Sequence, residues 1–352
     1  MKRKGISYDV GRVMGIINFR PIFDPKIVHR EFEIIKNDLH CNAVRICGLD
    51  IRRLTSAAED ALSQGLEVWL SPELWDKSPK KTLNYIVKAA AATEELRERW
   101  PERLVLSVGS ELALFMRGIV AGSTLVKRLH NPSLKDTIRS GEHNKPLNAF
   151  LAKASEGVRR VFHGEITYAA LPWEAVDWEL FDLVGVDHYR DARIQDRYVE
   201  MLKPLFAYDK PVVITEFGHI PMKGTDDSGV MGSGIGMGVV DNKTLFLHAI
   251  PLLGRFVRPR LIGEHVRDEA LQAHELVETL GLLDAAGVDG AFAFTFVSPT
   301  YPYSADPRYD LDMVSTSLVK SLAGGLHGTT FPDMPWEPKE SFWALAEYYG
   351  PH

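Results

Sequence analysis

The sequence predicts an α/β protein folded as a (β/α)8 barrel, the TIM barrel. Short apolar runs typical of buried strands alternate with helix-like segments along nearly the whole chain, and eight such units fit within the 352 residues. This alternation predicts parallel strands joined by right-handed crossovers, and eight units of this length match a closed barrel. A doubly wound sheet is the competing fold, but the turn after the first strand, DVGRVMG, lacks its usual Gly-rich phosphate motif.

The eight predicted strands are short runs rich in apolar and β-branched residues, at 5–10, 43–48, 67–73, 104–111, 166–172, 183–189, 211–218 and 290–296. The predicted helices carry apolar residues at helical spacing or are rich in alanine, at 26–39, 50–65, 78–100, 148–162, 197–207, 268–286 and 338–349. No linker or change of composition divides the chain, so a single barrel domain is expected over 1–352. A loop insertion is expected after the seventh strand, over about 222–262.

The composition limits the classes of partner. The chain is 45% hydrophobic and 25% charged, which is typical of a globular protein with an ample core. Its net charge of -6 leaves no basic patch, so nucleic acid is not expected as a partner. No run of about 18 apolar residues is present, so a membrane partner is not expected either.

Localisation in the cytoplasm is the expectation. The basic start, MKRK, resembles that of a signal peptide, but Asp9, Arg12 and Arg20 interrupt any apolar segment of the required length. The two cysteines, Cys41 and Cys47, fit a reducing compartment. A chain without its native leader would have the same appearance, and the oligomeric state stays open.

Carboxylates and aromatic residues end most of the predicted strands. In a barrel these ends converge on one face, where the active sites of this fold lie. Glu111 ends strand 4 and Glu216 ends strand 7, so their side chains can meet over the central cavity. Paired carboxylates cleave glycosidic bonds, and a separation of about 5–5.5 Å indicates a retaining mechanism. Either glutamate alone could instead cap a helix or pair with an arginine.

Several motifs resemble those of clan A of the retaining glycoside hydrolases. GSEL at 109–112 resembles the acid/base motif of this clan and ITEFG at 214–218 its nucleophile motif, and the two glutamates lie 105 positions apart, as is usual there. VRICG around Arg45 resembles the strand 2 arginine of the clan, VDHY at 186–189 its strand 6 tyrosine region, and PKESFWALAEYY its last helix. The resemblance covers nearly the full chain.

The resemblance implies a barrel enzyme that hydrolyses a β-type bond of an oligosaccharide or other glycoside by double displacement. Glu111 would be the acid/base and Glu216 the nucleophile, with no cofactor and no metal. Two residues depart from the usual pattern: Ser110 stands where asparagine usually precedes the acid/base, and Phe296 where tryptophan usually ends strand 8. In having a small residue at position 110, the chain resembles the mannanase-like family 113. Both residues affect the sugar subsite at the scissile bond, so the sugar stays undetermined.

Further candidate residues lie at or just beyond the strand ends. Arg45 is the expected cation beside the nucleophile, or else a salt-bridge residue at the barrel rim, and Tyr189 is the expected hydrogen-bond donor. His188 is expected to line the site, although a core histidine has the same pattern. Glu73 is expected to contact substrate or to cap a helix. The candidates for stacking on sugar rings, or for packing between loops, are Trp75, Trp173 and Tyr301.

Two loop motifs suggest ligands only weakly. The stretch GVMGSGIGMG at 229–238 lacks the lysine of a phosphate-binding P-loop, so a mobile loop or lid is expected there. The stretch ADPRYDLD at 305–312 carries three aspartates and is expected to be a solvated acidic loop rather than a calcium site.

Two other functions stay open. Ser110 and Phe296 suggest a non-catalytic carbohydrate-binding or interaction protein on the same barrel. A metal-dependent barrel hydrolase is the second alternative. Sugar binding without turnover would favour the first of these, and metal in the purified protein would favour the second.

Overall fold

Eight parallel β-strands form a closed barrel in the computed structural model, which describes residues 1–225, 238–250 and 252–351. Numbered in chain order, the barrel strands are β1 (Arg3–Asp9), β2 (Ala43–Gly48), β3 (Glu67–Pro72), β4 (Leu104–Ser110), β5 (Glu165–Ala170), β6 (Val184–Asp187), β7 (Val212–Phe217) and β8 (Gly290–Ala293). Each strand pairs with the next, and β8 closes the barrel against β1. The predicted (β/α)8 barrel is therefore confirmed.

Helices surround the barrel and connect its strands. The longer ones are Pro25–Asn37, Ile51–Ser63, Pro79–Arg99, Asn144–Arg159, Glu269–Ala285 and Glu340–Tyr349. Shorter helices lie in the loops after β4 and β7, at Leu112–Phe115, Leu125–Leu129, Leu134–Ser140 and Asn242–Ala249. Two antiparallel hairpins lie outside the barrel, Val13–Met14 with Ile17–Asn18 and Val319–Ser321 with Trp336–Pro338. Within the described ranges, no helix combines the length and apolar character needed to cross a membrane.

The connection between β6 and β7 differs from the prediction. An α-helix is predicted over 197–207, whereas the chain forms the 3-10 helices Gln195–Arg197 and Glu200–Tyr208. Pro204 lies inside the second of these. A proline has no N–H to donate and its ring clashes with the preceding turn, so it disfavours a regular α-helix. Further 3-10 turns are Trp178–Leu180, Pro307–Tyr309 and Leu311–Val314.

Short polar side chains determine where the outer helices begin. Asp24 accepts a hydrogen bond from the Lys26 amide at the start of the first helix, and Pro25 takes the first helical position. A proline is tolerated there because that N–H has no partner within the helix. Asp50 caps the second helix by accepting from two backbone amides. The apolar faces of both helices then pack against the strands, with Phe32 fully buried.

Apolar side chains fill the lower part of the barrel interior and leave its carboxyl end to polar groups. The rings of Trp69 and Phe292 lie 5.2 Å apart in this interior cluster. Gly5 makes room for them, because a Cβ at this position would lie 2.4 Å from the Phe292 ring. Along β2 the inward-facing positions change from Ala43 to Arg45, since alternate strand residues face the interior.

The described part of the insertion after β7 packs against the hairpin that follows β1. Val240 pairs with Leu261 in an isolated β-bridge. Leu245 is buried in an apolar cluster that includes Ile17 of the hairpin after β1. The Gly-rich stretch at 229–238, predicted to be a lid, lies almost entirely outside the described residues. The single-domain organisation stays a prediction.

The acidic loop expected at 305–312 is not solvated. Asp310 and Asp312 are buried, and both accept hydrogen bonds from Arg267. The Lys339 Nζ lies 2.8 Å from Asp312. These cations come from distant positions in the chain, so the local run of aspartates gave no sign of them. The prediction of a solvated loop is therefore wrong for these two aspartates.

Candidate active site

The backbone after β4 turns sharply and directs Glu111 to the carboxyl face of the barrel. Gly109 has a φ of +150°, and a Cβ at this position would lie 2.7 Å from Leu112. Glu111 itself is left-handed, with φ 47° and ψ 41°, a conformation that most residues avoid. Its N–H donates to the Ala169 carbonyl on β5 at 2.8 Å, which holds the turn against the barrel.

A buried tyrosine and a buried glutamate support this turn. The Leu112 N–H donates to the Tyr168 hydroxyl at 2.7 Å, and the Ala113 N–H donates to Glu174 at 2.9 Å. The Tyr168 hydroxyl in turn donates to Glu174 at 3.0 Å. Burial raises the pKa of Glu174 to about 7, although these hydrogen bonds act in the opposite direction. The loop after β5 therefore fixes the segment that carries Glu111.

Glu216 lies on β7 with a hydrogen-bond donor on each carboxylate oxygen. The Arg45 Nη1 donates to Oε1 at 2.6 Å. The Tyr189 hydroxyl donates to Oε2 at 2.8 Å. Charge-assisted hydrogen bonds of this kind are short and strong, and they fix the plane of the carboxylate. The positive charge of Arg45 compensates the negative charge of Glu216 inside the barrel.

Arg45 also links Glu216 to a second carboxylate, Glu73. Its Nη2 donates to the Ser71 hydroxyl at 3.1 Å and lies 3.6 Å from Glu73 Oε1. The other oxygen of Glu73 accepts from the Trp75 indole at 3.2 Å. Burial raises the pKa of Glu73, and nearby arginines partly offset this effect. The guanidinium of Arg45, on β2, is thus held by partners on or just after β3 and on β7.

The surroundings of Glu111 are acidic rather than basic. Burial, together with the Asp187 and Glu216 carboxylates, raises the pKa of Glu111 well above its usual range. In the described part of the chain, no group donates a hydrogen bond to its carboxyl oxygens. Burial and Glu216 also raise the pKa of Asp187, against a 2.6 Å hydrogen bond from Thr215. Carboxyl groups that share a buried site cannot all ionise, so these surroundings favour the protonated form of Glu111.

Aromatic rings form one wall of the site beside Glu73. Trp75 stacks on Phe115, with ring centroids 4.3 Å apart and planes 3° apart. Phe19 lies 6.0 Å from Trp75 and 6.3 Å from Tyr301, between centroids. All four rings are half-buried. Flat apolar surfaces of this kind suit the apolar faces of sugar rings.

Most of the predicted site residues lie in this cluster. The predicted residues with side chains at the carboxyl face are Arg45, Glu73, Trp75, Ser110, Glu111, Tyr189, Tyr301 and Glu216. Ser110 is buried at the end of β4, where it lines a small cavity of about 10 Å³ together with Glu73 and Trp75. The cavity has room for about one water molecule.

Phe296 is fully buried and does not face the carboxylates. Its ring lies 6.2 Å from that of Tyr8 and 5.3 Å from that of Trp336, on the helix side of the barrel. Phe294, two residues earlier, is half-buried, and its ring lies 4.7 Å from the Arg12 guanidinium. The burial of Phe296 does not fit the predicted contact with substrate, and Phe294 is the aromatic residue that follows β8 at this face.

His188 and Trp173 also pack away from the carboxylates. His188 is buried, stacks on Tyr198 at 4.0 Å, and donates from Nε2 to the Tyr198 carbonyl at 2.9 Å. Burial lowers the pKa of His188. Trp173 is half-buried and packs edge-on against His143, 4.8 Å between centroids. Both contacts match the packing roles that the sequence left open for these residues.

Arg12 and Glu174 contribute to the site and were not predicted. The Arg12 Nε donates to Asp9 at 2.8 Å, which places its guanidinium beside the aromatic wall. A signal was present in both cases, because Arg12 closely follows strand 1 and Glu174 closely follows strand 5. What the sequence could not show is how these loops turn back over the barrel.

A group of possible metal ligands lies on the outer helix Glu269–Ala285. The ligand atoms of His274, Glu275 and Glu278 lie within 4.8 Å of one another. Arg190 donates to both glutamates at 3.0 Å, so a guanidinium already provides the positive charge at this place. The residues that hold Glu216 are not part of this group.

The same barrel occurs in solved structures of glycoside hydrolases. A GH113 β-1,4-mannanase is similar, with a TM-score of 0.59 and 14% identity over 99% of this chain and 98% of that chain. For the GH113 β-mannanase of Alicyclobacillus acidocaldarius, the TM-score is 0.56 and the identity 14%, over 99% of this chain and 96% of that chain. For a β-glucuronidase from Ruminococcus gnavus, the TM-score is 0.57 and the identity 14%, over 99% of this chain and 50% of that chain.

At this level of identity, the similarity shows the fold alone. It confirms that the chain has a (β/α)8 barrel like that of the GH113 mannanases. No protein-family model matches the sequence. No curated protein matches it either.

Proposed function

We propose that the protein is a retaining glycoside hydrolase that cleaves a β-type glycosidic bond by double displacement, with Glu216 as nucleophile and Glu111 as acid/base. The observation that carries the proposal is the contrast between the two carboxyl groups. Donors hold both oxygens of Glu216, whereas burial and neighbouring carboxylates raise the pKa of Glu111 and favour its protonated form. A protonated and an ionised carboxyl group in one site are what double displacement requires.

In the first step, Glu111 donates its proton to the glycosidic oxygen as the bond from that oxygen to the anomeric carbon breaks. A Glu216 oxygen attacks the anomeric carbon, and the sugar becomes ester-bonded to Glu216 with inversion at that carbon. Arg45 and Tyr189 hold the attacking carboxylate in a fixed orientation, so no reorganisation is needed during the reaction.

In the second step, water attacks the anomeric carbon and releases the sugar from Glu216. Glu111, now ionised, accepts a proton from this water, and the second inversion restores the original configuration. The surroundings that raise the pKa of Glu111 favour the return of its proton, so the enzyme is ready for the next turnover.

The substrate class is proposed from two further observations. The similar structures include β-mannanases and a β-glucuronidase, which supports an oligosaccharide or glycoside substrate for this chain as well. The wall formed by Trp75, Phe19 and Tyr301 supplies the flat apolar surface on which a sugar ring can stack. The particular sugar is to be found with a panel of aryl β-glycosides.

Covalent trapping tests the proposal. The aryl glycoside that is cleaved fastest is replaced by its 2-deoxy-2-fluoro analogue, which slows release of the glycosyl-enzyme, and the labelled peptide is identified by mass spectrometry. We expect the label on Glu216. Glu216→Gln should take up no label, whereas Glu156→Gln, on an exposed ion pair of an outer helix, should label like the wild type.

Other results would decide against the proposal. A label on a different residue, or full turnover by Glu216→Gln, would contradict the assigned nucleophile. Calorimetric binding of a sugar without turnover of any glycoside would support the non-catalytic alternative. Loss of turnover on chelation, with recovery on adding a divalent metal, would support the metal-dependent alternative.

A further inference from the structure

Two NH2 groups of Arg12, at the carboxyl face of the barrel, have no hydrogen-bond acceptor in the part of the chain that the structure describes. Its Nε–H donates to Asp9 Oδ2 at 2.8 Å. Neither terminal nitrogen has an acceptor among the described residues, and neither is fully buried. The side chain as a whole is only 12% exposed, so its remaining surface includes these two NH2 groups. The guanidinium is thus held on one edge and open on the other.

Asp9 and three aromatic rings fix the position of this guanidinium. The Asp9 carboxylate also accepts from the backbone N–H groups of Gly11 and Arg12, at 2.7 and 2.9 Å, so it cannot swing away. The Arg12 Cζ lies 4.7, 5.4 and 5.8 Å from the ring centroids of Phe294, Phe19 and Trp75 respectively. Cation–π contacts and a bound carboxylate together hold an arginine in one orientation.

The open edge of Arg12 belongs to the same site as the two glutamates. Burial opposes the charge of Arg12, but Asp9, Glu73 and Glu216 raise its pKa, so it stays charged. Among the described residues, Asp9 is the one carboxylate within ion-pair distance of it. Glu73 and Glu216 are close enough to raise the pKa of Arg12, but neither accepts a hydrogen bond from its terminal nitrogens.

We propose that Arg12 binds an anionic oxygen group on the sugar, so that the preferred substrate is an acidic glycoside. The two NH2 groups of an arginine form a planar fork that matches two oxygens of a carboxylate or of a sulfate ester. A uronide and a sulfated sugar share this chemistry. Cleavage of such a glycoside rests on the proposed function, whereas its binding by Arg12 does not.

The other charges in the site permit an anion at this place. Arg45 compensates the charge of Glu216 through a 2.6 Å contact, and the surroundings of Glu111 favour its protonated form. A neutral sugar would need one donor for a hydroxyl, whereas here a fixed cation presents two donors side by side. With a neutral substrate, Asp9 would remain the one carboxylate among the described residues within ion-pair distance of this half-buried guanidinium.

Matched pairs of aryl β-glycosides test the proposal. Each neutral glycoside is compared with its uronide and with its 6-sulfate, and the ratio of acidic to neutral kcat/KM is measured. We expect the wild type to favour an acidic member, and the better of the two shows which anion is bound. Arg12→Gln should lower this ratio about 30- to 100-fold, mainly through KM, as expected for a lost charged hydrogen bond.

Two further variants make the kinetic test specific. Arg12→Lys keeps the charge and loses the fork, so its ratio should lie between those of the wild type and Arg12→Gln. Arg139→Gln, an exposed arginine in the loop after β4, should keep the wild-type ratio. A wild type that prefers neutral glycosides, or an equal loss on both members in Arg12→Gln, would overturn the proposal and leave the proposed function standing.

Binding of free monosaccharides separates this proposal from the proposed function. Saturation-transfer NMR compares D-glucuronate and D-galacturonate with D-glucose and D-galactose. Arg12-dependent binding of the acids, without cleavage of any glycoside, would support the proposal and contradict the glycosidase. The proposal would be overturned if neither the kcat/KM ratio nor the binding of the acids changed in the Arg12 variants, provided that these variants keep the thermal stability of the wild type.

Discussion

Glu216 and Glu111 are the same residue type at the carboxyl end of the same barrel, yet their surroundings are opposite. Glu216 accepts from a guanidinium and a phenol, at 2.6 and 2.8 Å. Glu111 faces other carboxylates, which with burial raise its pKa. The comparison shows that the neighbours of a carboxyl group decide whether it suits attack or proton donation.

The cause of this difference lies in the backbone. Glu216 is part of β7, so the side chain of Arg45 on β2 reaches it across the barrel and that of Tyr189 reaches it from just after the neighbouring β6. Glu111 lies one residue beyond β4 in a left-handed turn. Among the described residues, the strand donors Arg45 and Ser71 bond to other groups, and none donates to the Glu111 carboxyl group.

Loss of Glu216 should have the largest effect. Glu216→Gln removes the attacking oxygen, so we expect kcat/KM to fall by about 10⁴-fold or more. Steady-state kinetics on the best aryl glycoside measures this loss, with Glu156→Gln as the matched control on the protein surface. A loss of less than about 10-fold would mean that the two glutamates do not differ as described.

Loss of Glu111 should depend on the leaving group. Glu111→Gln cannot donate a proton, so we expect a loss of about 10²- to 10⁴-fold with alkyl glycosides. Dinitrophenyl glycosides need little protonation and should lose much less. In the wild type, activity should fall at alkaline pH as Glu111 loses its proton, and this limb should be absent from the variant. Equal losses for all leaving groups would contradict the role of proton donor.

Removal of one donor to Glu216 should have a smaller effect. Tyr189→Phe deletes the 2.8 Å hydrogen bond to Oε2 and leaves the Arg45 contact in place. We expect a loss of about 10-fold or somewhat more in kcat, since a hydrogen bond to a charged group contributes about 1.5 kcal/mol or more. Tyr348→Phe, on the outer helix Glu340–Tyr349, is the matched control and should keep the wild-type rate. No change in Tyr189→Phe would show that Arg45 alone orients the nucleophile.

The support beneath Glu111 should be visible in the pH dependence of stability. The pKa of Glu174 is raised from 4.5 to about 7, so the folded state binds its proton more tightly than the unfolded state. The stabilisation is present at acid pH and is lost as the pH rises through about 7, up to roughly 3 kcal/mol in the free energy of unfolding. Thermal melts from about pH 5 to 8 should fall less steeply in Glu174→Gln than in the wild type. An identical slope would contradict the raised pKa.

The sequence was most informative where the chain runs straight. Apolar runs that end on a carboxylate located β4 and β7, and the motifs around Arg45 and Tyr189 identified the two donors that meet Glu216. A residue inside a regular strand has neighbours that follow from barrel geometry. This part of the site could therefore be predicted from the sequence alone.

The sequence was least informative beyond the strand ends. Phe296 was placed at the site, whereas β8 ends at Ala293 and Phe294 follows it at the carboxyl face. Two aspartates of the predicted solvated loop are buried on Arg267 and Lys339, which lie far away in the chain. Loop conformation depends on such distant partners, and no local pattern records them.

Azide rescue tests the separate roles of the two glutamates most directly. With Glu216→Ala, azide should take the place of the nucleophile and give the glycosyl azide of inverted, α configuration. With Glu111→Ala, azide should attack the glycosyl-enzyme in place of water and give the retained, β azide. NMR of the two products distinguishes the anomers. Opposite anomers from the two variants are the predicted result, and the same anomer from both would contradict the assigned roles.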